Sequence, residues 1–152
     1  MGILGTKSDA PMRALSFMIG EWELDYTVTQ NGRTTRTIRG TGALRFLFNA
    51  TYLNFDYQAI EKASGAGIGE AHGIFAWDEK AGRYRYYWFE SSGSFRQATG
   101  VLEDAHTLAL EWQEIKCTQI FRSVSTDAMY LEMRCPEQDL LLRVDFTRIP
   151  AG

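Results

Sequence analysis

From Trp22 onward the chain alternates. Trp22, Leu24, Tyr26 and Val28 are separated by Glu23, Asp25 and Thr27, the period of two that a half-buried strand imposes. Asn31-Gly32 follows, a strong hairpin signal because both residues tolerate positive φ. Further short alternating runs lie at Thr34–Gly42, Leu44–Phe48, Thr51–Ile60, Glu70–Trp77, Arg83–Glu90, Phe95–Leu102, Thr107–Gln113, Lys116–Val124, Met129–Cys135 and Leu140–Ile149. Turn residues interrupt them about every 8–12 positions, and Glu61–Gly69 is a Ser/Gly-rich loop. The one helical pattern lies near the start. Ser8 or Asp9 caps it, Pro11 suits its first turn, Gly20 ends it, and Leu15, Met18 and Ile19 form its apolar side.

These elements predict an all-β fold. Sequential hairpins without helical crossovers give an up-and-down antiparallel meander of about ten strands. Closing it removes its sticky edges, so a single barrel is expected, with a short N-terminal helix. At 152 residues the chain is one domain. Residues 1–7 are expected to be a disordered tail, 8–20 a helical plug and 21–149 the barrel.

Register carries one face from strand to strand. The turn Asp78–Gly82 pairs Trp77 with Tyr84, Phe75 with Tyr86 and Gly73 with Trp88. A turn at Ser91–Ser94 then adds Phe95, Gln97, Thr99 and Val101 to that face. A turn at Glu103–His106 adds Leu108, Leu110 and Trp112. Leu44, Phe46 and Phe48 meet Leu53, Phe55 and Tyr57. Near the C-terminus Met129, Leu131, Met133 and Cys135 meet Leu140, Leu142, Val144 and Phe146. This mostly apolar face is the interior. Ten strands enclose more width than their own side chains readily fill, and the face carries polar groups that need partners. An internal pocket lined by Tyr26, Phe55, Phe75, Tyr86, Trp88, Gln97, Leu110, Gln119 and Phe121 is therefore expected. On the opposite face Ile74 neighbours Tyr87 and His72 neighbours Phe89, an outward apolar patch that suggests a homodimer. In a closed meander the last strand pairs with the first, so Arg148 should lie over Trp22 at the end plugged by the helix. The alternative latch, Arg143, shares its face with Asp145 and Thr147 and points to solvent.

Composition narrows the function classes. The aromatic share of 13% favours strands. A net charge of −3 without a basic cluster argues against nucleic acid. No apolar run reaches the roughly 18 residues of a membrane span. No export signal is visible, and with two cysteines a cytoplasmic protein with reduced thiols is expected. Met1–Thr6 fits a loose myristoylation pattern that often matches by chance. No nucleophile, phosphate-loop, cofactor or metal motif appears. His72 and His106 lie on different elements. Glu90 shares the inward side of Trp88 near a strand end. The expected function is binding of a small apolar or aromatic ligand. The alternative is an enzyme such as an isomerase, cyclase or hydrolase, using Glu90 or a tyrosine as proton carrier.

Two motifs carry a resemblance. Phe17-Met18-Ile19-Gly20-Glu21-Trp22 resembles the Gly-x-Trp opening of the calycins, the lipocalin and fatty-acid-binding superfamily. The run Gly73–Asp78, with Tyr84, Trp88, Ser91, Gly93 and Gly100, resembles an uncharacterised, mainly bacterial domain family with a lipocalin-like barrel. The resemblance spans about two thirds of the chain and implies a small-molecule-binding barrel without an assigned reaction. It also supports the latch, since lipocalins pair this tryptophan with a late arginine. The nitrobindin group, more distantly similar, binds haem through a late histidine. No histidine follows His106 here, so haem is not carried over.

Overall fold

The computed structural model describes residues 8–35, 38–61 and 67–150, side chains at some strand ends excepted. The tail expected at residues 1–7 and most of the Ser/Gly loop lie outside the described residues.

Among the described residues eleven strands form one antiparallel sheet: β1 (Gly20–Gln30), β2 (Arg33–Thr35), β3 (Ile38–Leu47), β4 (Tyr52–Glu61), β5 (Gly67–Asp78), β6 (Arg83–Glu90), β7 (Phe95–Asp104), β8 (Thr107–Trp112), β9 (Thr118–Ser125), β10 (Ala128–Cys135) and β11 (Leu140–Arg148). Each strand from β3 to β11 pairs with the next, β3 pairs with β1, and β11 returns to β1. The result is a closed ten-strand barrel, with β2 as an additional short strand on the far half of β1. The β1–β2 hairpin turns at Asn31 and Gly32, both at positive φ, as that dipeptide dictates.

The N-terminal segment is shorter and more broken than its pattern predicts. An α-helix, α1, covers only Ala10–Arg13, and a separate 3₁₀ turn covers Ser16–Met18. Gly20 does not end a helix; it begins β1 with φ 144°. The segment still plugs the barrel, because Met12, Leu15 and Met18 are almost completely buried.

At this closed end Arg148 joins four parts of the chain. Trp22 and Arg148 are register partners across β1 and β11. The guanidinium lies 4.3 Å from the indole centre. Its Nη1 donates to the Ile19 carbonyl at 2.7 Å and its Nε to the Thr126 carbonyl at 2.9 Å. Trp22 Nε1 donates to the Met18 carbonyl at 3.0 Å. Together the two side chains satisfy carbonyls that the short helical turns leave free. The guanidinium fills the space that a Cβ at Gly20 would take. Only glycine fits there, both for room and for the positive φ. Arg143 instead stacks on Tyr130 at 4.1 Å and bonds Asp145 on the outer surface.

Most of the inward face follows the sequence register, with one slip. β5 and β6 pair Trp77 with Tyr84, Phe75 with Tyr86 and Gly73 with Trp88. β6 and β7, however, pair Tyr84 with Gly100, Tyr86 with Ala98 and Trp88 with Arg96. The Glu90 amide bonds the Ser94 carbonyl, and Gly93 at φ 95° closes a three-residue loop instead of the expected four. One residue of slip turns a strand over. Phe95, Gln97, Thr99 and Val101 therefore lie on the outer side, and Ala98 and Gly100 lie inside, buried. An irregularity between Leu102 and Asp104 helps Leu108, Leu110 and Trp112 keep their inward side. Phe48 is a further correction: it leaves the strand for a left-handed turn at φ 51° and is 77% exposed.

The cysteines are not reduced thiols. The β9–β10 register sets Cys117 opposite Cys135, with Cα atoms 4.4 Å apart, and a disulfide joins them. Directly opposed residues lie within bridging distance, which is the geometry a disulfide needs. The expectation of free thiols rested on compartment, not geometry, and it fails here.

Two outcomes follow. Arg148→Ala removes the stacking and two charge-assisted bonds. It should cost about 2 kcal/mol, or roughly 4–8 °C in thermal melting for a domain of this size, with little change in binding by the folded protein. Reducing the disulfide, whose cysteines are 18 residues apart, should lower stability by about 3 kcal/mol on the chain-entropy argument. Thiol titration of denatured, unreduced protein should find no free thiol.

Candidate functional site

The barrel is filled at one end and open at the other. At the closed end, Trp22, Leu44, Leu53, Phe75, Tyr84, Leu108, Phe121, Met129 and Phe146 pack together under the plug. The Tyr84 hydroxyl donates to the Pro11 carbonyl at 2.6 Å, which fastens α1 to β6. Towards the other end the same inward rows line a cavity of about 410 Å³. Its base and walls include Leu24, Phe55, Val144, Phe146, Tyr86 and Leu131. Tyr26, Tyr57, Trp88, Trp112, Gln119, Met133 and Leu142 continue the wall, and Glu70, Glu90, Ser91, Ser92, Ile115 and Arg96 form the mouth.

The nine residues expected to line a pocket separate into three groups. Tyr26, Phe55, Tyr86, Trp88 and Gln119 border the cavity. Phe75, Leu110 and Phe121 face inward but sit in the core cluster without bordering the cavity. They are packed core rather than lining. Gln97 is on the outer surface, turned there by the three-residue β6–β7 loop, and Arg96 takes its place at the mouth. The residues the expectation left out were mostly within reach. Tyr57, Trp112, Met133 and Leu142 already belonged to the inward face. Arg96 could have been found from the loop type or from the small residues on its side of the strand, Ala98 and Gly100.

The aromatic wall is continuous. Tyr26 meets Tyr57 with ring centres 5.9 Å apart, Tyr57 meets Trp88 at 5.9 Å, Trp88 meets Phe55 at 5.9 Å and Tyr86 at 6.0 Å, and Tyr86 meets Trp112 at 5.7 Å. Beneath it Phe75 stacks on Tyr86 at 4.1 Å. Tyr86 lies over Gly73, where a Cβ would come within 2.7 Å of its ring and hydroxyl. The missing side chain at Gly73 makes room for the tyrosine.

Burial governs the chemistry of the phenols. It pushes the pKa of Tyr26 far up, helped by the neighbouring Tyr57 hydroxyl and by Tyr86. It also raises Tyr57, where the Glu90 charge adds to the effect and the Tyr26 hydroxyl opposes it. Tyr86 and Tyr84 are raised by burial alone. At neutral pH these are hydrogen-bond donors, not bases. Trp112 Nε1 donates to Gln119 Oε1 at 3.0 Å. An indole N–H can only donate, so it fixes which end of the amide is oxygen.

Outside the barrel, the patch expected at Ile74, Tyr87 and Phe89 lies on adjacent strands. Phe89 stacks on the exposed Phe95 with ring centres 6.4 Å apart. His72 beside them bonds Asp56 at 2.8 Å. His106 sits in the turn before β8.

No protein-family model matches the chain, and no curated protein matches it. Solved structures do. Rv2717c from M. tuberculosis is 16% identical and superposes with a TM-score of 0.68, covering 92% of this chain and 98% of that one. The S-type phycobiliprotein lyase CPES from Guillardia theta is 7% identical with a TM-score of 0.62, covering 90% of this chain and 91% of that one. At such identities the likeness concerns the fold. This chain shares with them a closed antiparallel β-barrel. Among the described residues no helix is long and apolar enough to cross a membrane.

The raised phenols give a pH prediction. In the unfolded chain these tyrosines ionise near 10.0, their ordinary value, whereas in the fold they hold their protons to higher pH. Above that value the unfolded state binds fewer protons than the folded one, so stability must fall as pH rises. It is fully present below pH 10. Denaturant titrations at pH 8 and about pH 11 should show the loss, and Tyr26→Phe should make it shallower. Equal stability at both values would refute the burial argument.

Proposed function

We propose that this protein binds a small, mainly apolar or aromatic molecule in the open half of its barrel. The observation that carries the reading is the division of the interior. One half is packed to near-complete burial, while the other keeps about 410 Å³ between aromatic walls. Protein interiors are close-packed, and voids larger than a few waters are uncommon. A cavity of this size, mainly apolar with a few polar groups, matches the usual build of a small-molecule site. The neutral phenols favour binding over the enzyme alternative, because a tyrosine held above its ordinary pKa is a poor proton acceptor. A disulfide between β9 and β10 suits an oxidising compartment better than the cytoplasm.

Native mass spectrometry of freshly purified protein should show a bound mass that denaturation releases. The neutral naphthalene dye Prodan should bind saturably with a blue-shifted emission. Ala71→Phe, which places a ring among the cavity-lining residues, should weaken that binding at least about tenfold and leave the fold intact. If the dye does not saturate, or the filled variant binds it equally well, the cavity is not a binding site.

A further inference from the structure

Two tyrosines two residues apart on β6 are treated differently by the fold. The hydroxyl of Tyr84, at the closed end, is satisfied by the Pro11 carbonyl. Tyr86 is 1% exposed and lines the cavity, yet its hydroxyl bonds no described residue. Gln119 repeats the pattern at 5% exposure. Its Oε1 is taken by Trp112, and its Nε2 donates to no described residue. Among the described residues the one fully enclosed side-chain polar atom without a partner is Thr107 Oγ1; the Tyr86 hydroxyl and the Gln119 Nε2 are not sealed in that way but open onto the cavity, free to donate into it.

The two groups belong to one wall. The Tyr86 ring touches the Trp112 ring, and the Trp112 indole holds Gln119. On the other side Tyr86 is near enough to Tyr26 to act on its ionisation, and Tyr26 faces Tyr57. The cavity therefore carries a belt of neutral donors above an apolar base. We infer that the ligand carries a neutral carbonyl-type acceptor oxygen on an aromatic or apolar frame, and that Tyr86 and Gln119 donate to that oxygen.

This rests on the binding function proposed above and specifies the class of ligand. A pure hydrocarbon would strip water from the Tyr86 hydroxyl and the Gln119 amide and return nothing, a cost on the order of tenfold or more in affinity per group. A carboxylate in the same place would be buried without a counter-charge. Among the lining residues Arg96 is the one cation, and it lies exposed at the mouth beside Glu70 and Glu90. A ketone, lactam or quinone meets the donors without importing charge. Sites built to hydrogen-bond a polar group discriminate strongly against the analogue that lacks it.

The test uses a matched pair, fluorenone and fluorene, which share a frame and differ in one carbonyl. Equilibrium dialysis against the intact, disulfide-bonded protein should give fluorenone an advantage of about tenfold or more. Tyr86→Phe and Gln119→Leu should each cut that advantage several-fold and leave fluorene affinity unchanged or improved. The fluorene measurement on each variant also reports whether the cavity is still formed. Equal affinity for the two compounds, or an advantage that survives both substitutions, overturns the donor-belt inference while leaving the binding function standing. Failure of both compounds to bind overturns the two together.

Discussion

A closed barrel depends on its last strand finding its first, and here that junction is made with a guanidinium. β11 must meet β1 in register while the plug meets both. A hydrophobic contact alone is non-directional and tolerates sliding. Arg148 is directional: a planar donor set that stacks on Trp22 and reaches carbonyls on Ile19 and Thr126 together. A shift of one residue would carry its side chain to the other face of the sheet. Gly20 is required by the same arrangement, because a side chain there would occupy the guanidinium's place. The Gly-x-Trp motif and the late arginine are thus one device, separated by most of the chain.

The closed end makes the open end possible. The plug and its surrounding rings bury Leu15, Met18, Trp22, Phe75 and Phe121 essentially completely, which concentrates the hydrophobic stabilisation in half of the barrel. The other half can then remain unfilled without loss of the fold. Its rim has separate reinforcement. The Cys117–Cys135 disulfide lies two residues from Ile115 at the mouth and from Gln119 in the wall, and ties the start of β9 to the end of β10 where a cavity replaces a packed core. Staples are most valuable where burial is least.

Strand alternation made the fold class, the strand sequence, the β5–β6 register and the Trp22–Arg148 pairing legible, because each follows from period two and from hairpins with strong turn signals. The failures have local causes. Ser91-Ser92-Gly93-Ser94 admits both three-residue and four-residue loops, and the choice decides whether Gln97 or Arg96 faces inward. Side-chain size held the answer: Ala98 and Gly100 are the residues that fit beside Tyr86 and Leu110, whereas Phe95 and Val101 are not. The disulfide follows from the β9–β10 register, which sets Cys117 opposite Cys135, whereas the expectation of reduced thiols rests on compartment alone. Parity alone could not separate the residues that line the cavity from those packed below it. Phe75 and Tyr86 share a row, yet only one reaches the space. That boundary depends on how deep the plug and its ring extend, which is a property of the whole end and not of any strand.

Tyr86 marks that boundary, and its environment explains why a tyrosine stands there. Its ring belongs to the core, stacked on Phe75 and seated over Gly73. Its hydroxyl belongs to the cavity. Phenylalanine would supply the same ring contacts, and the hydroxyl adds no bond to the described residues. Ring packing alone therefore does not call for a tyrosine at position 86. The same holds for Gln119, whose row neighbours Leu110 and Met133 are apolar. Two positions in one cavity that each present a donor without an acceptor among the described residues are hard to explain by packing. They are simply explained by a partner that enters from the open end and accepts what Tyr86 and Gln119 have to donate.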